Sequence, residues 1–255
     1  MHRKLKTILM ENIISVKNLV KKFGNFTAND NLNFHVEKGE IFGFLGANGA
    51  GKTTAIRILC GLSAPTSGEV KVAGFDIDTQ TEKVKNNIGY MSQKFSLYDD
   101  LTVWENLRFY GGIYGIYGKT FREKAEFMLQ KLNFYHAKNN KIKDIPLGWK
   151  QKLAFSTAIF HDPKIVFLDE PTSGVDPITR RQFWDLIYET ANNGITVFIT
   201  THYMDEAEYC DRISIMESGK IAALDTPENL MLHFHAKNMD QVFVKIAGGI
   251  TKSNI

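Results

Sequence analysis

Cysteine is nearly absent: the chain has two, Cys60 and Cys210, and no CxxC pair. That excludes a disulfide framework and a Cys-rich zinc site, and suits a reducing compartment. An excess of one charge is also missing, with Lys+Arg 31 against Asp+Glu 28 and a net charge of +3. Such a balance is no nucleic-acid footprint; binding of that kind would need a local patch, and none is expected. Long apolar runs are missing too. The longest stretch without Asp, Glu, Lys or Arg, Thr190 to Met204, is rich in Thr and Asn. A spanning helix needs roughly 18 apolar residues, so the chain is not expected to cross a membrane by itself. The basic start, Met1 to Lys6, is followed only by Ile8-Leu9-Met10, too short for a signal-peptide core. Met10 is an alternative start, and residues 1–12 read as an N-terminal extension. With 20 Gly and 6 Pro the chain is not fibrous, and with 44% hydrophobic residues it is not disordered. Its 255 residues suffice for one large domain or two small ones around a packed core.

The apolar patterning predicts an α/β protein. Ile13–Val16, Leu32–Val36, Glu69–Val72 and Ile88–Met91 read as short strands. Ile41–Leu45 and Ile165–Leu168 are apolar throughout, as in strands buried on both faces. Helices are expected over about Thr53–Leu62, Thr102–Leu132 with a break at Gly115–Gly118, Gly148–Phe160 and Ile178–Asn192. Asn193-Gly194 stops the last of these before a strand at Ile195–Thr200. Arg212–Ala223 reads as two strands turned at Ser218-Gly219, and Thr226-Pro227-Glu228 starts a helix. The expected architecture is a mostly parallel sheet with an antiparallel β subdomain and a helical insertion at about 94–160.

Gly46-Ala47-Asn48-Gly49-Ala50-Gly51-Lys52-Thr53 satisfies G-x-x-x-x-G-K-[ST] between an apolar strand and a helix, with Thr54 following. Glycines let successive backbone N–H groups turn around an anion, and the helix start adds partial positive charge. Lys52 is expected to reach the outer phosphates of a nucleotide, and Thr53 to ligate Mg²⁺. The strand Ile165–Leu168 ends in Asp169-Glu170. At the carboxyl edge of a parallel sheet, neighbouring strands deliver side chains to one crevice. Asp169 is expected to hold Mg²⁺ through a water, and Glu170 to polarise the attacking water, a role worth ~10²–10⁴ in rate. Kinase chemistry is less favoured, because a Glu beside the metal-binding Asp suits water as acceptor.

With both elements in place, Ile13 to Leu230 resembles the ATP-binding cassette (ABC) ATPase family. The resemblance implies a P-loop NTPase core over 13–230, followed by a C-terminal tail at 231–255. It makes Gln93, in Tyr90-Met91-Ser92-Gln93, the glutamine that touches Mg²⁺ and senses the transport partner. Ser173-Gly174-Val175-Asp176 resembles the D-loop, and His202 the switch histidine on the γ-phosphate. Phe23 stands where the family has an aromatic that stacks on adenine. The signature run departs from Leu-Ser-Gly-Gly-x-x-Gln: here it is Ile145-Pro146-Leu147-Gly148-Trp149-Lys150-Gln151. The family's serine binds the γ-phosphate held by the opposite subunit, and Pro146 has neither hydroxyl nor N–H. Gly148, Gln151 and the helix start remain for that contact.

Phe95–Leu107, Thr172–Pro177 and Met239–Phe243 are similar to cassettes of the export branch, which serves drugs, lipids, polysaccharides or antibiotics. The resemblance therefore implies an ATP- and Mg²⁺-dependent ATPase that pairs with a second cassette, the same or different. It would power a separate membrane permease from the cytoplasmic face of the inner or plasma membrane. The alternatives are a soluble non-transport ABC ATPase, and a partner cassette that binds nucleotide without hydrolysing it.

Overall fold

The computed structural model describes residues 11–94 and 96–249. The N-terminal extension expected over 1–12 thus lies almost wholly outside the described residues, as does Phe95 of the export-like segment. Ten strands and eight α-helices are described. In chain order they are β1 Asn12–Phe23, β2 Phe26–Glu37, β3 Ile41–Gly46, α1 Lys52–Leu59, β4 Ser67–Val72, β5 Phe75–Asp76, α2 Thr81–Asn86 and β6 Ile88–Met91. Then follow α3 Val103–Ile113, α4 Gly118–Lys131, α5 Leu147–Ala158, β7 Ile165–Asp169, α6 Pro177–Asn192, β8 Thr196–Thr201, β9 Arg212–Glu217, β10 Lys220–Asp225, α7 Pro227–His233 and α8 Met239–Ala247.

The strands form two sheets. One is antiparallel in the order β2-β1-β4-β5, and the other runs β10-β9-β3-β8-β7-β6. In the second, all pairs are parallel except the β9–β10 edge. Every residue of β3, β7 and β8 is buried, as expected of strands covered on both faces. In β2 burial alternates at Leu32, Phe34 and Val36, so one face of the antiparallel sheet points inward. The two sheets meet over Phe34, Phe42, Phe44, Phe167 and Phe198. The Phe198 ring lies 5.3–5.5 Å from those of Phe42, Phe44 and Phe167, in tilted geometries favoured by aromatic quadrupoles. This cluster locks β3, β7 and β8 together below the strand ends that carry the chemistry.

A separate core of Val103, Leu107, Phe121, Leu129, Phe134 and Leu153 joins α3, α4 and the start of α5, so the helical insertion packs around its own centre. Its first helix is fixed by a capping box: Thr102 Oγ1 accepts from Glu105 N, and the Glu105 carboxylate accepts from Thr102 N. Beyond residue 230, where a tail is expected, α8 buries Met239, Val242 and Ile246 against the core beneath β9.

Candidate functional site

The site is built at the carboxyl ends of β3, β7 and β8. Register places Leu45 beside Thr201 and Asp169 beside Thr200, which brings the glycine loop and the acidic strand end together. The loop itself depends on glycine at two points. Gly46 has φ +154° and Gly51 φ +100°, and a Cβ would lie 2.5 Å from Met216 O and 2.3 Å from Ala28 O respectively. Asn29, fully buried, donates from Nδ2 to Gly51 O at 3.1 Å, and Gly219 N donates to Ala50 O at 3.1 Å. The loop is therefore braced from β2 and from the β9–β10 turn. Ala47, Asn48, Gly49 and Thr53 are exposed, Thr54 is half-buried, and Ala50 is buried.

Lys52 folds back into its own loop, its ammonium donating to Gly46 O at 2.7 Å and Ala47 O at 3.2 Å. It also lies 3.6 Å from Glu170 Oε1. Burial lowers its pKa, against the pull of Glu170 and Asp169. Asp169 Oδ1 accepts from Thr200 Oγ1 at 2.7 Å and from Thr53 Oγ1 at 3.4 Å. Burial raises the Asp169 pKa, with the Thr200 hydrogen bond opposing it. Glu170 turns off the strand at φ +49°, a left-handed backbone that costs a non-glycine residue ~1–3 kcal/mol. Thr200 holds that turn: the Glu170 N–H donates to Thr200 Oγ1 at 3.0 Å and to its carbonyl at 3.1 Å. The Glu170 carboxylate then accepts from Gln93 Nε2 at 2.9 Å and sits 3.2 Å from His202 Nδ1.

Six of the expected residues thus converge: Lys52, Thr53, Asp169, Glu170, Gln93 and His202. Three others are placed differently. Asp176 is the N-cap of α6, its carboxylate accepting from Ile178 N, Thr179 N and Thr179 Oγ1. These bonds hold its pKa below the ordinary carboxylate range. Gln151, expected to touch nucleotide, is instead fully buried, its amide donating to Ser173 O at 3.3 Å. Gly148 is expected from the sequence to serve the phosphate contact, where glycine permits close backbone approach. Within the chain a Cβ there already meets Thr179 Cγ2 at 2.7 Å, so packing of α5 on α6 demands glycine as well. Pro146 caps α5 without any side-chain hydrogen bond. Phe23 ends β1 56% exposed, with Lys21 Nζ 5.0 Å above its ring. Sequence reasoning missed Thr200 and Asn29, because both act through strand pairings that a single sequence does not reveal.

A phosphate-binding loop, an acidic strand end and a polar cluster on one sheet edge are the arrangement seen in a known group of proteins. The profile of the family described as "ABC transporter" matches residues 29–173. The chain belongs to the ABC transporter family. It is 50% identical over 220 residues, 86% of its length, to "Probable multidrug ABC transporter ATP-binding protein YbhF" of Escherichia coli (strain K12), covering 38% of that protein. The chain thus spans well under half the length of that relative. The "Linearmycin resistance ATP-binding protein LnrL" of Bacillus subtilis (strain 168) is 36% identical, with 86% of this chain and 70% of that protein covered. Among solved structures, a dimeric ATP-binding cassette in a post-hydrolysis state with ADP and Pi superposes with a TM-score of 0.76. It is 26% identical, covering 84% of this chain and 98% of the other. The chain therefore has the α/β P-loop NTPase fold of ATP-binding cassettes. No helix among the described residues is long and apolar enough to cross a membrane.

Proposed function

We propose that this cassette hydrolyses ATP to drive export through a separate membrane subunit, from a peripheral position on the cytoplasmic face of the inner or plasma membrane. The observation that carries the reading is the Glu170 carboxylate, poised among Gln93 Nε2 at 2.9 Å, His202 Nδ1 at 3.2 Å and Lys52 Nζ at 3.6 Å. A carboxylate hydrogen-bonded by an amide and flanked by an imidazole and an ammonium, one residue beyond a buried aspartate, suits a base that orients water toward a phosphate. In this reading the loop N–H groups from Gly46 to Thr54 and the Lys52 ammonium take the phosphates, and His202 meets the outermost one. Phe23, free on one side, stacks on the adenine. The uncapped start of α5 at Gly148 offers N–H donors and a positive dipole end to the nucleotide of a second cassette. Asp176 holds the loop that crosses to that partner.

The oxygens of Thr53 and Asp169 fit Mg²⁺: both are hard donors, they converge within 3.4 Å, and burial disfavours the bare Asp169 charge that a cation would relieve. Gln93 completes the set. The metal supplies neutralisation of charge on the phosphate oxygens. The working unit starts at 13, carries a helical subdomain at about 94–160, and extends past residue 230 through α8, whose Met239, Val242 and Ile246 share the core of β7 and β8. The relatives' names, a probable multidrug transporter ATP-binding protein and a linearmycin resistance ATP-binding protein, favour the export branch. A cavity of about 400 Å³ between β6 and the helical subdomain, lined by Tyr90, Leu97, Tyr110, Ile113 and Tyr114, suits a helix of the membrane subunit.

A second reading, a partner cassette that binds ATP without hydrolysing it, draws on Pro146, which brings no hydroxyl to the signature position. Turnover by the purified chain decides between them. Wild type is expected to release phosphate from Mg-ATP and Glu170→Gln to release almost none. A wild type as inactive as the variant, with ATP bound equally by both, would establish the second reading.

A further inference from the structure

Glu206 is fully buried, yet only one of its carboxylate oxygens is well held: Oε1 accepts from Thr172 Oγ1 at 2.6 Å, while Oε2 has no hydrogen-bond partner. Arg180, on the first turns of α6, brings Nε to 3.7 Å from the same Oε1, and that Nε also lacks a hydrogen-bond partner. A buried carboxylate held this sparsely is costly, and a nonpolar pair would cost less. The surroundings point to what the pair does. Thr172 lies two residues after Glu170, at the base of the Ser173–Asp176 loop. The Arg180 guanidinium carbon lies 4.0 Å from the Tyr203 ring centroid. The Tyr203 ring in turn packs 4.2 Å from that of His202, tilted by 36°. The connections close a ring from Glu170 through Thr172, Glu206, Arg180, Tyr203 and His202 back to Glu170.

We propose that the buried Glu206–Arg180 pair is a positioning element that sets the His202 imidazole against Glu170, and thereby tunes the hydrolytic step rather than nucleotide binding. This rests on the roles given above to Glu170 and His202. None of Glu206, Arg180 and Tyr203 touches nucleotide in this scheme. Glu206 at 3.7 Å from Nε and the exposed Asp205, whose Oδ2 accepts from Nη1 at 3.5 Å, hold the guanidinium from two sides. The buried charge of Glu206 is the less screened of the two. The guanidinium fixes the Tyr203 ring by cation–π attraction, and the ring limits the rotation of its neighbour. Misplacement of a catalytic group by about 1 Å is enough to cost on the order of 10²-fold in rate.

The test begins with wild type and Glu170→Gln: turnover in the first and its loss in the second secure the underlying reading independently. Glu206→Gln, nearly isosteric, and Tyr203→Leu, which leaves the buried pair intact, are then compared in the full chain. Both are expected to lower kcat by about tenfold to a hundredfold while the Kd for Mg-ATP stays within about twofold. The His202 ring resonance, assigned by its loss in His202→Ala, is expected to shift in both variants. Glu206→Gln added to His202→Ala is expected to cost nothing further, because both act through one group. Unchanged kcat in both variants, an unmoved His202 resonance, or losses that multiply in the His202→Ala background would each overturn the proposal. Should Glu206→Gln not fold, the same criteria applied to Tyr203→Leu decide it.

Discussion

Two buried charges show how single residues divide between stability and chemistry. Lys52 is expected from sequence to face only ligand, so that its loss would spare the fold. The structure modifies this: the side chain is 4% exposed, and without ligand its ammonium serves two loop carbonyls and Glu170. Lys52→Ala is therefore expected to abolish turnover and also to lower stability by about 1–3 kcal/mol, because buried acceptors lose their donor. Calorimetry without nucleotide checks this, and an unchanged melting temperature would show that water replaces the ammonium. Glu40 is the opposite case, far from the nucleotide edge. Its Oε2 accepts from Glu37 N at 2.7 Å and its Oε1 lies 3.5 Å from Arg212 Nε, but burial outweighs both and pushes its pKa up from 4.5 to about 7. A carboxyl with a raised folded pKa binds more protons folded than unfolded, so its contribution falls as pH rises through that window and stays low above it. Glu40→Gln is expected to flatten the fall in melting temperature between about pH 5 and 8 and to be the more stable protein at the upper end, by up to ~3 kcal/mol. Parallel curves for the two proteins would rule out Glu40 as the source.

At the scale of elements, the contact between α5 and α6 carries the sharpest consequence. The signature glycine stands against the first turn of α6, where Thr179 donates to the Asp176 cap at 2.6 Å. Gly148→Ala is expected to push the two helix starts apart and lower turnover about tenfold, consistent with the rate cost of small misplacements. Thr179→Ser removes the methyl that a Cβ meets at 2.7 Å and keeps the hydroxyl, so the double variant is expected to regain most of the activity. If the second substitution rescues nothing, the glycine is needed for the nucleotide side alone. The same elements show how far the sequence could be read. Strands β3, β6, β7 and β8 were legible because apolar runs between glycine, proline and asparagine breaks have few alternatives. The phosphate loop and Asp169-Glu170 were legible because their chemistry demands fixed spacing. Strands β1 and β2 are each 12 residues long, where sequence suggested four or five, because Asn18 and Asn31 at positive φ occur within irregular pairing that alternation does not predict. Helix α8 carried a signal that was passed over: Asn238 as cap, with Met239, Val242 and Ile246 at helical spacing. The placement of Gln151 depends on the loop that the fold brings beneath α5, which no local pattern states, whereas Asp176 before Pro177 is a helix-start signal carried by the sequence itself.

At the scale of the whole molecule, the question is whether two cassettes close on ATP. Two features bear on it. The start of α5 has no side-chain cap, and while Trp149 N and Lys150 N donate to Pro146 O at 3.0 and 3.1 Å, the N–H groups of Leu147 and Gly148 stay available to an external acceptor. Leu147 on α5 and Ile178 on α6 stand 45% and 72% exposed, beside helix starts that already touch through Gly148 and Thr179. Two large apolar side chains next to an uncapped helix start make a surface that gains from being covered when a phosphate arrives. In the proposed closed pair, nucleotide would drive association, because anything bound only by the closed state stabilises it by mass action. Glu170→Gln keeps the shape of the site and removes the base, so ATP should persist and hold the pair closed. The variant is expected to run as a dimer in Mg-ATP and as a monomer in ADP by size exclusion with light scattering. Adding Leu147→Asp, which places a negative charge beside the α5 start where the proposed closed pair brings the second nucleotide, is expected to return it to monomer while ATP binding per chain is retained. A Glu170→Gln protein that stays monomeric at saturating ATP would place the second half of the site on a different chain, and mixing with a candidate partner cassette would then be expected to produce the dimer.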